Sequence, residues 1–334
     1  MSNVENDPAE QTVCSAAATV ATEPDAELLH PREVPLGGPR AMRVRRALPN
    51  RDRRMVGAWC FADSYGPTGI AGQPGMQVPP HPHIGLQTVT WLVEGEVWHQ
   101  DSVGNRQLVH PGELPLMTAG RGIAHSEQSP PEHSPTLYGA QLWLALPEQS
   151  RHAPPAFEFH SALPRHELRQ GSITVLAGAV DGAVSPATTC SPLVGASLSL
   201  SAGGQLSVPL EPGFEHAVLA LSPGLTVEGE PVPAGAMLYL GRGRRAVGLT
   251  AETAGQALLL GGEPFAEDLV MWWNFVGRSH EDVVAARTTW EAEHDTDAPD
   301  RRFGPVPGYD GPALPAPALP NARLKAKGRY NPHR

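Results

Sequence analysis

The chain has 334 residues, with 25 Lys and Arg against 35 Asp and Glu, for a formal net charge of −10. That length allows two domains with a core each, and the acidic balance lacks the basic footprint that wrapping nucleic acid requires, so no direct nucleic-acid partner is expected. Glycine and proline are abundant, at 35 and 36 residues, and aromatics make up only 6%; this is the punctuation of short strands and tight turns, which a helical bundle would not tolerate.

Three cysteines, Cys14, Cys60 and Cys190, lie far apart and show no Cys-x-x-Cys spacing, which argues against a disulfide framework or a thiolate zinc site. The first 22 residues have early acidic residues and no sustained apolar core, unlike a secretory signal. No window approaches membrane-spanning length. A cytoplasmic, monomeric protein is the expectation.

In chain order, residues 1–28 read as a disordered arm, rich in Ala, Thr, Glu and Asp and without hydrophobic periodicity. Arg32–Gly38 and Met42–Pro49 read as an entry strand with charged residues alternating outward. Arg54–Pro67 reads as a mostly buried strand ending in a Gly-Pro turn, with Cys60 inside it as a small hydrophobe. Next comes His81-Pro82-His83, followed by the strand-like Thr88–Val93 and the turn Glu94-Gly95-Glu96. Val97–Ser102 leads to a second turn at Gly104-Asn105. Pro111-Gly112-Glu113 precedes Leu114–Met117, and Gly120-Arg121-Gly122 bends the chain sharply before His125-Ser126-Glu127. Tyr138–Pro147 alternates as a closing strand, and Pro154-Pro155 marks a linker.

Residues two apart on an extended chain share a face. His81 with His83, and His125 with Glu127, therefore form two claws that, facing each other across a small barrel, would offer three imidazoles and one carboxylate. Such a mixed N/O set suits a divalent transition metal with positions left open for substrate or dioxygen. An isolated His-x-His also occurs in ordinary loops; the second pair, placed after a Gly-rich turn, is what gives the first its weight. His99 would share a face with Asp101, but the four-donor set is complete without it, and an exposed or hydrogen-bonded strand histidine is the preferred reading. Soft thiolate ligands are absent, which disfavours a structural zinc.

Pro80–His83, Thr88–Gly95, Asp101–Asn105, Pro111–Glu113, Met117–Gly122 and His125–Glu127 together resemble the pirins, a branch of the cupin superfamily. The resemblance implies an all-β bicupin: two cupin-type antiparallel β-barrels, a short C-terminal helix and disordered tails. It also implies that His81, His83, His125 and Glu127 bind one divalent transition metal, Fe(II) before others. Several pirins are quercetin 2,3-dioxygenases, which implies oxidative cleavage of a flavonol, with Glu127 as the catalytic base and a small aromatic as substrate. Other pirins are iron-dependent regulators, so a redox-responsive role through a protein partner stands as the alternative. Ile84, Leu86 and Gln87 depart from the family, which more often has a basic residue, Phe and Glu there.

From Ile173 a second run of short strands begins, and residues 29–150 and 151–296 are expected to be the two barrels. Ala234–Gly243 echoes Pro111–Gly122 with a shorter spacing. Carried on from the shared Gly-Arg-Gly, the register sets Ala246 at the place of His125 and Gly248 at that of Glu127; laying Gly224 on Gly95 sets Leu210 and Pro212 at His81 and His83. The second barrel should keep the scaffold and lack the metal. Gly262–Phe265, Met271–Val276 and Ser279–Asp282 resemble the pirin C-terminal signature. Ser279 and Asp282 have capping-box spacing, and Val283, Ala286 and Trp290 share a face, which predicts an amphipathic helix from Asp282 to about Glu293. Residues 297–334 read as a flexible proline-rich tail, tucked at most over Phe303–Tyr309, with a basic end too short for a nucleic-acid site.

Overall fold

The structure is a computed structural model that describes residues 26–36, 42–294, 296 and 301–325. The expected N-terminal arm lies almost wholly outside the described residues. The N-terminal half is built from β1 (Glu27–Leu29), β2 (Arg32–Leu36), β3 (Met42–Leu48), β4 (Trp59–Gly69), β5 (Gln77–His83), β6 (Leu86–Glu94), β7 (Val97–Asp101), β8 (Arg106–Val109), β9 (Leu114–Thr118), β10 (Ile123–Gln128), β11 (Thr136–Ala145) and β12 (Ala156–His160). Seven of these form an antiparallel sheet in the order β12-β9-β6-β11-β4-β3-β2, and four form a second in the order β5-β10-β7-β8. The alternation that the sequence shows in β6 and β11 gives one face to the barrel interior and the other to the second half.

The C-terminal half repeats the plan. Its strands are β13 (Arg165–Leu168), β14 (Gly171–Ala177), β15 (Ala179–Val180), β16 (Ala183–Val184), β17 (Leu193–Leu200), β18 (Gln205–Pro209), β19 (Glu215–Ala220), β20 (Leu225–Val227), β21 (Glu230–Val232), β22 (Met237–Gly241), β23 (Ala246–Ala251) and β24 (Gly255–Gly262), followed by β25 (Val270–Trp272) and β26 (Phe275–Gly277). The large sheet runs β1-β22-β19-β24-β17-β14-β13 and the small one β18-β23-β20-β21. The halves exchange edge strands: β1 pairs with β22, and β12 pairs with β9. The first described strand, β1, thus serves the other half's sheet.

Large side chains on the backs of the two big sheets hold the halves together. Trp59 Nε1 reaches both the Val194 and Gly261 carbonyls, at 3.1 and 3.2 Å, and Trp91 Nε1 donates to Ser197 Oγ. The Gly57 amide donates to the Glu215 carboxylate at 2.9 Å. Gly57 has φ +53, and a Cβ there would lie 2.8 Å from the Gly262 Cα; backbone meets backbone, which only glycine allows.

The helix α1 spans His280–Glu293, with Ser279 as N-cap and a complete capping box to Asp282. It starts two residues earlier than expected because Asp282 is the third residue of its first turn rather than its start. Val283, Ala286 and Trp290 are its buried face, as the spacing required. The expectation of a flexible tail needs correction for residues 301–325. They carry no regular structure, yet Phe303, Ala316 and Leu324 are buried in one cluster with Trp290, Phe275 and Ala124. Backbone bonds from Ala124 to the Phe303 carbonyl and from Leu314 to the Pro80 carbonyl lay this segment across β10 and β5.

Candidate metal centre

The small N-terminal sheet brings the two claws together. In the pairing of β10 with β5, His125 stands directly opposite His81, and the register shifts at a bulge between His125 and Glu127. His81, His83 and His125 are fully buried, and one ring nitrogen of each lies within 4.8 Å of the others. Glu127 is buried two residues further along β10 but is not part of that close group; its Oε1 accepts from Thr90 Oγ at 2.7 Å. The structure thus brings the three imidazoles together and sets the carboxylate beside them, against Thr90.

Tautomers follow from the backbone. His81 Nδ1 lies 2.8 Å from the Pro79 carbonyl, and His83 Nδ1 lies 3.1 Å from the Asn274 carbonyl. A carbonyl only accepts, so both rings carry their proton on Nδ1 and leave an Nε2 lone pair free. His81 Nε2 and His125 Nδ1 are buried without a partner, and His83 Nε2 is 3.1 Å from His125 Nε2. Two nitrogens bound at a right angle to one ion, each at about 2.1 Å, would lie roughly 3 Å apart. The orphaned His81 Nε2 and the close His83–His125 pair fit a shared cation.

The electrostatics agree. Burial holds His81 well below the usual imidazole range, and the neighbouring His83 adds to the effect. Burial lowers His83 to about 3. Burial again, then His81 and His83, hold His125 well below normal. All three rings are neutral at pH 7, the form that binds metal.

Other interior residues were not legible as site residues. Thr90 Oγ also lies 2.8 Å from Gln141 Oε1. One hydroxyl proton cannot serve two acceptors, and an ionised Glu127 only accepts. The consistent arrangement has the Gln141 amide N–H donating to Thr90 and Thr90 donating to Glu127. Beyond Gln141, Asp63 and Arg46 continue the row across β4 and β3 as a buried two-point ion pair at 2.7 and 2.8 Å. Polar Thr90 and Gln141 inside apolar strands were the available signal, since both fall on the inward phase. His99, expected to be exposed or hydrogen-bonded, is buried; its Nε2 is 3.1 Å from Asp101, its ring stacks on Phe157, and it lies beside His125.

Two antiparallel barrels in tandem, one enclosing three neutral imidazoles, define a metal-binding bicupin. The chain belongs to the pirin family: residues 41–144 match Pirin, and residues 195–295 match the Pirin C-terminal cupin domain. It is 44% identical over 289 residues to a Pseudomonas aeruginosa protein named "Putative quercetin 2,3-dioxygenase", covering 86% of this chain and 89% of that one. It is 36% identical over 258 residues to a pirin-like protein of Caulobacter vibrioides, covering 75% of this chain and 88% of that one. Among solved structures, a quercetin 2,3-dioxygenase from Acinetobacter baumannii superposes with a TM-score of 0.83 at 39% identity, over 90% of this chain and 98% of that one. Among the described residues no helix is long and apolar enough to cross a membrane.

Proposed function

We propose that the protein is a metal-dependent dioxygenase that cleaves a flavonol such as quercetin. In this reading His81, His83 and His125 hold Fe(II), and Glu127 is both the fourth donor and the catalytic base. The observation that carries it is the buried group of three neutral imidazoles, with ring nitrogens that meet one another and no other protein partner. The names of the P. aeruginosa and A. baumannii relatives support the substrate class.

When bound, the metal would polarise a chelating hydroxyl and lower its pKa. The chain does the rest. The Pro79 and Asn274 carbonyls hold two rings in the binding tautomer. Glu127, steadied by Thr90, accepts the substrate's hydroxyl proton on its carboxylate. The surrounding strands and the segment 301–325 shield the reacting atoms from water.

The test is aerobic incubation of Fe(II)-loaded protein with quercetin, following loss of the flavonol absorbance. Metal-dependent turnover is expected, and Glu127→Gln should lower it about 100-fold or more. Absence of any metal-dependent turnover would overturn the enzyme reading; full activity in Glu127→Gln would overturn only the base assignment.

A further inference from the structure

Two donors of the barrel interior lie outside the metal set and lack a partner. Tyr65 Oη and Trp143 Nε1 are buried without a hydrogen bond, on side chains that are 0% exposed. A buried donor left unpaired costs about 1–3 kcal/mol, and such groups are rare in folded proteins unless something else satisfies them.

The register shows where they stand. Tyr65 lies opposite Gly139, and Phe61 opposite Trp143. On the other side of β11, Gly139, Gln141 and Trp143 lie opposite Leu92, Thr90 and Thr88. Positions 139, 141 and 143 share one face, the same face as Thr90, which reaches Glu127. The Trp143 ring lies 5.0 Å from that of His83. The Tyr65 hydroxyl sits over Gly139, where a Cβ would come within 2.9 Å of it. Four residues of strand, about 13 Å, separate the two rows, so the donors stand at either end of a wall with the Gln141–Thr90–Glu127 relay between them. An indole N–H can only donate, and a protonated phenol offers its O–H; both call for acceptor oxygens.

We propose that Tyr65 Oη–H and Trp143 Nε1–H recognise oxygens of the bound molecule beyond the pair that would chelate the metal, and so select an elongated, polyoxygenated aromatic. The inference rests on the function proposed above. Gly139 is required in any case by the neighbouring backbone, since a Cβ there would collide with the Trp91 carbonyl as well as press on the Tyr65 tip.

The test uses zinc-loaded full-length protein, which binds without turnover, titrated by calorimetry with quercetin and with 3-hydroxyflavone. The second ligand keeps the chelating oxygens and lacks the ring hydroxyls. Wild type should prefer quercetin. Tyr65→Phe and Trp143→Phe should each reduce that preference about five- to tenfold, with zinc content and 3-hydroxyflavone affinity unchanged. An unaltered preference in Tyr65→Phe, or equal weakening of both ligands, would overturn the proposal; should Trp143→Phe not fold, Tyr65→Phe decides alone. A wild type that binds zinc but neither flavonol refutes the flavonol reading itself, and this inference with it.

Discussion

Inside the N-terminal barrel the paired strands β5 and β10 present His81, His83, His125 and Glu127, backed by Thr90 and Gln141. The corresponding pair in the C-terminal half, β18 and β23, turns Leu206, Val208, Val247 and Leu249 into a wholly apolar cluster. Both barrels close and pack, so the scaffold does not need the polar interior. The histidines instead leave buried nitrogens unsatisfied, a cost that an apolar core avoids. A cation bound by the three imidazoles would offset it in one half, and the apolar cluster of the other has no such cost.

The sharpest way to break that contrast is to remove a ligand. His83→Ala or His125→Ala should take bound metal from about one ion per chain to almost none, measured by elemental analysis of purified protein, and abolish turnover. His216→Leu, in the second barrel, should leave metal content unchanged. If metal survives loss of either N-terminal histidine, the assignment of the two halves is wrong.

A second test addresses how the polar interior is supported. Arg46 and Asp63 form a fully buried ion pair at the far end of the row that leads through Gln141 and Thr90 to Glu127. Asp63→Asn removes the carboxylate charge that faces Arg46 and should cost about 3–5 kcal/mol, read as a lower urea midpoint. A loss below about 1 kcal/mol would mean that solvent or another group takes over the pairing.

The outer faces differ too. Every residue of β10 but Gln128 is buried, whereas Ala246, Gly248 and Thr250 of β23 alternate outward and are exposed. The segment 301–325 covers the metal-bearing sheet on that side. Phe303→Ala should therefore destabilise the protein by about 3 kcal/mol, at the lower end for a buried aromatic, with amide exchange accelerating in β5 and β10 before β18 and β23. Uniform acceleration would show that the segment stabilises the whole molecule alike.

Much of this contrast was legible in the sequence. Period-2 spacing in His81-Pro82-His83 and His125-Ser126-Glu127 predicted two claws, and the imidazoles do meet. The internal echo predicted a second barrel, and the inward residues of its β18 and β23 are apolar. The exact correspondence was off, however: Ala246 and Gly248 face outward and Val247 and Leu249 inward. The two connections after Gly-Arg-Gly are not equivalent residue for residue: Ile123 follows Gly122 directly in β10, whereas β23 begins only at Ala246. Composition alone could not reveal the packed tail, because proline-rich backbone without regular structure orders only against a partner surface, here the outer side of β10 and β5. Nor could it reveal the Pro79 and Asn274 carbonyls, since every residue carries one.

The smallest expected effect isolates the C-terminal half. His216 is its lone buried imidazole among the described residues; it is 0% exposed, and burial lowers its pKa to about 4 against the opposing pull of Glu211 and the Phe214 backbone. Because the folded value lies below the unfolded value of about 6.5, the unfolded chain takes up a proton first as pH falls. No penalty exists above that unfolded value; it grows through the window from about pH 6.5 to pH 4 and reaches at most about 3 kcal/mol. His83, lowered to about 3, adds a similar loss in metal-free protein, so total acid sensitivity cannot be assigned to either half. The difference between wild type and His216→Leu can. With both proteins metal-free, urea midpoints at pH 7.5 and pH 4.5 should differ less in the variant than in wild type, since leucine takes no proton in either state. Parallel losses in the two proteins would mean that His216 gains its proton without leaving the fold, and that the second barrel admits water where its apolar lining suggests none.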